Sequence, residues 1–102
     1  MAEVRVIARS VARKGKESQL REVLRGMLVP SRAESGCKLY DLYESDTKGR
    51  FYFHETWESQ AALDKHAASP HFKRLEATFG ELLQEPFEVN ILEKIQIGAA
   101  AR

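Results

Sequence analysis

The stretch RFYFHETWESQAALDKHAASPHF, residues 50–72, decides the fold of this chain. Large apolar side chains alternate with polar ones in residues 50–57, and this pattern predicts a β-strand with one buried face. Apolar positions with helical spacing follow over residues 61–68. Ser69 and Pro70 then match a helix N-cap followed by proline at the first helical position. The stretch therefore predicts one strand followed by two consecutive helices.

The same stretch gathers groups that titrate near neutral pH beside large apolar rings. It holds all three histidines of the chain, His54, His66 and His71, together with its only tryptophan, Trp57, and a glutamate inside the strand, Glu55. A purely structural segment does not need this mixture, whereas an enzyme that acts on small aromatic molecules does. We therefore expect the functional site here.

The segments on either side are predicted in the same way, from the alternation typical of strands and from the apolar spacing typical of helices. They are strands at residues 4–11, 37–44 and 87–97, a helix at 16–28, and a continuation of the last helix to residue 83. Turn residues at 46–49 join the second and third strands into an antiparallel hairpin. The order β-α-β-β-α-β, with the second helix broken at Pro70, predicts an α+β, ferredoxin-like fold with an antiparallel sheet.

The end of the first helix is predicted from four residues. Pro30 should interrupt the helix, because proline removes a backbone donor. Ser31 and Glu34 match a capping box that would restart one further turn. Gly36 would then end that turn in a left-handed conformation.

Both faces of the predicted strands carry apolar side chains. In the second strand, Tyr40 and Leu42 point to one side, and Leu39 and Tyr43 point to the other. Helices cover only one face of such a sheet, so the second face must be buried against something else. Because the chain offers no further elements, we expect a homodimer in which two sheets pack face to face.

The length of 102 residues predicts a single domain over residues 1–102, and we expect a frayed tail at 98–102. The 16 basic and 15 acidic residues leave a net charge of +1, which argues against nucleic-acid binding. The single cysteine, Cys37, fits a reducing cytoplasm. No signal peptide or membrane helix is expected. Residue spacing indicates neither a zinc site nor a nucleotide fingerprint, so we expect no metal.

The whole pattern of residues 4–95 resembles the antibiotic biosynthesis monooxygenase family. The motifs that carry this resemblance are Glu34-Ser-Gly36-Cys37-x-x-Tyr40, Arg50-Phe51, Glu55-x-Trp57-Glu-Ser, Leu63-x-x-His66 and Ser69-Pro70-His71-Phe72. The resemblance implies a small dimeric α+β barrel protein. It also implies a pocket between the helices and the sheet that includes the tryptophan position.

The resemblance implies more than one activity. Some members oxidise hydroquinones or polyphenols with dioxygen and without flavin, metal or haem, one branch degrades haem, and another isomerises a phosphorylated sugar. This chain has Phe53 where the polyketide-quinone branch has asparagine. It has Ala8 and Glu76 where haem degraders have asparagine and the iron-binding histidine. We therefore expect no haem, and no other cofactor.

The resemblance places Glu55 on the pocket side of its strand and His54 on the opposite side. His66 lies on a helix that packs back over this strand, so a Glu55–His66 contact would hold the imidazole as a catalytic base. The alternative is a buried polar pair that only joins helix and sheet. The expected substrate-pocket residues are Trp57, Phe53, Phe72, His71 and Tyr40.

The leading hypothesis is a cofactor-independent monooxygenase that acts on a small hydroquinone-like or polyphenolic substrate with dioxygen. One alternative is an isomerase of a small carbonyl or sugar-phosphate compound, with Arg50, Lys65 or Lys73 binding the phosphate. The other is a non-catalytic dimeric module for ligand binding or stress.

Overall fold

The computed structural model describes residues 2–96, and the predicted frayed tail at 98–102 lies outside them. The chain order is β1 (Val4–Val11), α1 (Glu17–Arg25), α2 (Leu28–Arg32), β2 (Cys37–Glu44), β3 (Arg50–Trp57), α3 (Gln60–Ala67), α4 (Pro70–Glu76), α5 (Phe79–Leu82) and β4 (Glu88–Leu92). The first three strands have the bounds that the alternation of side chains predicted. No helix among the described residues is long and apolar enough to cross a membrane.

The four strands form one antiparallel sheet in the order β2-β3-β1-β4. The helices pack on one face, and the predicted ferredoxin-like fold is confirmed. In the register of the sheet, Glu55 on β3 lies between Val6 on β1 and Tyr40 on β2. This glutamate is therefore at the centre of the sheet face that the helices cover.

The core lies between that face and the helices. Leu20 and Leu24 of α1 and Trp57 of β3 are fully buried, and Phe53 on β3 is 2% exposed. This agrees with the amphipathic pattern of α1 and with the alternation along β3.

The helical regions differ from the prediction in two places. The first helix is interrupted at Gly26 and Met27 rather than at Pro30. Pro30 lies in the first turn of α2, where a backbone N–H has no intrahelical partner and proline is tolerated. The last predicted helix is also divided, because α4 ends at Glu76 and α5 begins at Phe79.

The predicted capping box and left-handed cap are wrong. Ser31 lies inside α2, and the Glu34 side chain binds histidines instead of the local backbone. Gly36 has no positive φ. It is required for close packing, since a Cβ atom there would lie 2.4 Å from the Cβ of Ala62 on α3.

The last strand is shorter than predicted within the described residues, since β4 covers Glu88–Leu92. Residue 97, the end of the predicted strand 87–97, lies outside them. Every residue of β4 is exposed, including Val89 and Ile91. Among the described residues, β4 is paired only with β1, and it forms an open edge of the sheet.

Candidate functional site

A cavity of about 200 Å³ lies between the centre of the sheet and helix α3. Its lining residues come from all four strands or their flanks and from two helices: Val6, Ala8, Tyr40, Glu55, Gln60, Leu63, Asp64, His66, Ala67, Phe72, Phe87 and Val89. Gln60, Asp64, Ala67 and Val89 are exposed, so the cavity opens to solvent between α3 and β4. The lining combines aromatic rings with a carboxyl group and an imidazole that are almost fully buried.

The first of these groups is Glu55, which is 4% exposed. Its Oε1 accepts a hydrogen bond of 2.9 Å from Nε1–H of Trp57, two residues along the same strand face. Burial raises the pKa of Glu55 to about 7; the hydrogen bond from Trp57 opposes this rise and the charge of Glu34 adds to it. A large share of Glu55 side chains therefore carries a proton at neutral pH.

The second group is His66, in the last turn of α3 and 3% exposed. Burial lowers the pKa of His66, although the hydrogen bond and charge of Glu34 oppose this effect. The imidazole is thus neutral at pH 7. Its ring packs on Trp57, with 4.5 Å between ring centroids, and at edges against Tyr40 and Phe72.

The predicted Glu55–His66 contact is wrong, since the carboxylate that His66 binds is that of Glu34. Nδ1 of His66 lies 2.7 Å from Oε2 of Glu34, and Nε2 of His71 lies 2.7 Å from the same oxygen. We call these three residues the Glu34 triad. The Glu55 carboxyl is instead engaged by the indole N–H of Trp57, which is much closer along its own strand.

The Glu34 triad is also the one group of three potential metal-binding side chains that residues 2–96 contain, with ligand atoms within 4.8 Å of one another. Two ligands of a tetrahedral zinc ion, each about 2.1 Å from the metal, lie about 3.4 Å apart. The 2.7 Å distances here are those of hydrogen bonds. We therefore interpret the triad as a hydrogen-bonded unit.

Of the residues predicted to form the site, the structure brings four to the cavity: His66, Glu55, Tyr40 and Phe72. It does not bring Trp57, Phe53 or His71 there. Trp57 packs behind His66, and Phe53 packs behind Tyr40, with 4.8 Å between ring centroids. His71 lines a separate cleft beside α1, although the next residue of α4, Phe72, lines the cavity.

Sequence reasoning missed Glu34, Asp64 and Phe87 as parts of the site. Glu34 was assigned to a capping box, which accounted for its carboxylate by a local bond and left no reason to seek a distant partner. Its place in the motif Glu34-Ser-Gly36 was the signal that pointed beyond the helix end. Asp64 and Phe87 carry no motif, and only the packing of α3 and β4 brings them to the cavity.

Comparison with known proteins bears on this arrangement. Residues 3–78, most of the chain and including the Glu34 triad, match the family model described as antibiotic biosynthesis monooxygenase. The chain belongs to the antibiotic biosynthesis monooxygenase family.

Two bacterial proteins are similar to this chain in sequence. The Mycobacterium tuberculosis protein named "Putative monooxygenase Rv0793" is 43% identical over 97 residues, which cover 95% of this chain and 96% of that protein. The Bacillus subtilis protein named "Putative monooxygenase YcnE" is 38% identical over 60 residues, covering 58% of this chain and 63% of that protein.

Solved structures agree with this assignment. The solved structure of Rv0793 from Mycobacterium tuberculosis superposes with a TM-score of 0.88 at 42% identity, covering 96% of this chain and all of that chain. The structure of PA3566 from Pseudomonas aeruginosa superposes with a TM-score of 0.87 at 33% identity, covering 94% and 97% of the two chains. Family membership accounts for the fold and for the order of its motifs, but a shared fold alone does not specify a reaction.

Proposed function

We propose that this protein is a cofactor-independent monooxygenase that oxidises a small hydroquinone-like or polyphenolic substrate with dioxygen. The observation that carries the proposal is the pairing of a neutral imidazole, His66, with a partly protonated carboxyl group, Glu55, in one aromatic cavity. Environments that move two pKa values in opposite directions are typical of a catalytic base and a catalytic acid. The monooxygenase names of two relatives support the same reaction class.

In the proposed reaction the substrate is its own reductant. His66 takes a phenolic proton through Nε2, the nitrogen that Glu34 leaves free. The phenolate then passes one electron to dioxygen, and the two radicals combine into a peroxide on a ring carbon. When the O–O bond breaks, that carbon becomes a carbonyl and the second oxygen leaves as water, with the substrate's own hydrogens.

Glu55 supplies the acid for this sequence. In its protonated form, its carboxyl group donates a hydrogen bond to the reduced oxygen as negative charge develops there. The aromatic side chains Tyr40, Phe72 and Phe87 surround the substrate ring in the same cavity. Because burial also raises the pKa of Tyr40, its hydroxyl remains a neutral donor and does not compete as a base.

The cavity favours small, uncharged substrates. Its volume of about 200 Å³ is below the range of about 300–1,000 Å³ that drug-sized ligands occupy. No lysine or arginine is among the described residues that line it, whereas Glu55 and Asp64 are. In particular, Arg50, Lys65 and Lys73 do not line it, so the sugar-phosphate isomerase lacks its expected phosphate site.

We also propose that the protein is a homodimer, with the uncovered sheet face as the interface. Ile7, Leu39 and Tyr52 lie on that face, half-buried although no helix covers them. Tyr43, on the same face, is 55% exposed. A second copy of the sheet would remove these apolar groups from water.

The test is dioxygen uptake by metal-stripped protein that is offered a panel of hydroquinones, naphthols and anthrones. We expect uptake that depends on the enzyme and that falls about 10²–10⁴-fold in His66→Ala, because general-base catalysis contributes that much. The matched control is His54→Ala, which removes the histidine on the opposite sheet face and should keep turnover. The absence of enzyme-dependent uptake across the panel would contradict the proposal, and equal loss in both variants would contradict the assignment of the base.

A further inference from the structure

His71, the last histidine of the chain, does not reach the cavity that holds His66. It lines a cleft formed with α1 residues such as Val23 and with Arg74 of its own helix. Its Nε2 is nevertheless 2.7 Å from Oε2 of Glu34, the oxygen that also binds Nδ1 of His66. Two imidazoles with ring centroids 5.8 Å apart therefore share one carboxylate oxygen.

The shared oxygen determines where the protons of the Glu34 triad lie. An ionised carboxylate accepts hydrogen bonds but cannot donate them. Both nitrogens must therefore donate, which places the N–H of His66 on Nδ1 and that of His71 on Nε2. A neutral imidazole has only one N–H, so Nε2 of His66 is left with its lone pair.

The three members of the triad are held by separate elements. Glu34 is in the loop before β2, His66 is in the last turn of α3 and His71 is in the first turn of α4. Ser69 joins the two helices, since its hydroxyl donates to the carbonyl of His66 at 2.7 Å and accepts from the backbone N–H of Phe72 at 3.2 Å. This corner brings two histidines five residues apart to one oxygen.

We propose that Glu34 and His71 are positioning residues that hold His66 as a base, with the lone pair of Nε2 directed at the substrate. This proposal rests on the oxygenase function proposed above, because it explains how His66 becomes the base in that reaction. His71 acts through Glu34. The N–H of His71 holds the Glu34 oxygen in place when the substrate proton reaches His66. In serine proteases, replacing the orienting carboxylate by an amide leaves the wrong imidazole tautomer and lowers kcat about 10⁴-fold.

The first test is independent of activity. In the ¹⁵N-labelled full chain, the imidazole nitrogen shifts should show a protonated Nδ1 and an unprotonated Nε2 on His66. Glu34→Gln should exchange the two, because the amide can donate to Nδ1 and leave the proton on Nε2. A wild-type His66 protonated at Nε2, or a tautomer unaffected by Glu34→Gln, would overturn the proposal.

The second test separates kcat from KM. Glu34→Gln should lower kcat about 10²–10⁴-fold and change KM by less than about threefold, since Glu34 does not line the cavity. His71→Gln, whose amide keeps a donor near the position of Nε2, should retain most of kcat, whereas His71→Leu should lose about tenfold. Equal kcat in the two His71 variants would overturn the role of His71. Thermal melts of all variants should be measured to check that each one is folded.

The two proposals fail in different ways. The expected tautomers, together with no dioxygen uptake by the wild type on any substrate, would support the positioning of His66 and contradict the oxygenase function. Dioxygen uptake that Glu34→Gln leaves unchanged would overturn the positioning proposal and leave the oxygenase function supported.

Discussion

At the level of single residues, Glu55 and Glu34 have the same side chain but different chemical properties, because their surroundings differ. Glu55 lies in the middle of the sheet, where burial outweighs one hydrogen bond from Trp57 and raises its pKa to about 7. Glu34 is 16% exposed at its side chain and meets two imidazole nitrogens. The first environment favours a protonated acid, and the second gives Glu34 two imidazole partners that it can orient.

Replacing Glu55 by glutamine should stabilise the protein at pH 8. The folded pKa of Glu55 is above its unfolded value near 4.5, so the unfolded state loses its proton first as pH rises. Wild-type stability therefore falls between about pH 4.5 and 7, by at most about 3 kcal/mol. Glu55→Gln abolishes this loss and keeps an oxygen for the indole N–H. Urea unfolding of both proteins from pH 4 to 8 measures the difference.

The control for that measurement is Glu58→Gln, which changes an exposed glutamate three residues away. Its free energy of unfolding should follow that of the wild type at every pH. A constant difference between Glu55→Gln and the wild type from pH 4 to 8 would be inconsistent with a raised pKa for Glu55.

The same two residues predict a bell-shaped pH profile of kcat/KM. Activity should rise with pH as His66 loses its proton, at a pKa below 6.5, and fall above about pH 7 as Glu55 loses its proton. Of the other groups near the cavity, Tyr40 has a raised pKa and Asp64 is at the exposed rim. Glu55→Gln should lower kcat and remove only the alkaline limb. An alkaline limb unchanged in this variant would assign it to another group.

At the scale of elements, the corner between α3 and α4 connects a local sequence signal with the site. Ser69 and Pro70 predicted where α4 begins, and the structure confirms it. The same serine hydroxyl also donates to the carbonyl of His66. A feature that the sequence presents as a helix cap thus also sets the spacing of two histidines in the Glu34 triad.

Ser69→Ala should therefore affect both stability and activity. The loss of an N-cap costs about 1 kcal/mol, and a looser corner should lower kcat several-fold by disturbing the bonds of His66 and His71 to Glu34. Ser59→Ala is the matched control, since the hydroxyl of Ser59 caps the other end of α3 by accepting from the N–H of Ala62. Denaturant unfolding measures the stability of both variants, and dioxygen uptake measures their kcat. Equal losses of kcat would show that the corner has no separate role.

At the scale of the whole molecule, the uncovered sheet face and the exposed strand β4 are what a single chain leaves unpartnered. Ile7→Lys places a charge at the centre of that face and should convert the proposed dimer to a monomer, because a buried unpaired charge is costly. Val29→Lys is the control, since Val29 on α2 is 79% exposed. Sedimentation equilibrium measures the mass of each variant. A wild-type chain that sediments as a monomer would contradict the dimer.

The features that could be predicted from the amino-acid sequence are those that depend on local periodicity and on chain order. Alternating side chains set the bounds of β1, β2 and β3, and Ser69-Pro70 set the start of α4. The order of these elements, which leaves few ways to pair the strands, determined the fold class. The same alternation also predicted which residues of β3 share the buried face of the strand.

Only the tertiary structure decided which of these residues meet. His66 could be placed over β3 from the sequence, but its carboxylate partner could not. Glu55 is eleven residues away and Glu34 is thirty-two, and spacing along the chain favoured the nearer one. The choice depends on how closely α3 approaches the loop before β2, a distance set by Gly36 against Ala62. Side-chain partners across elements are decided by such packing distances, and periodicity along a chain does not specify them.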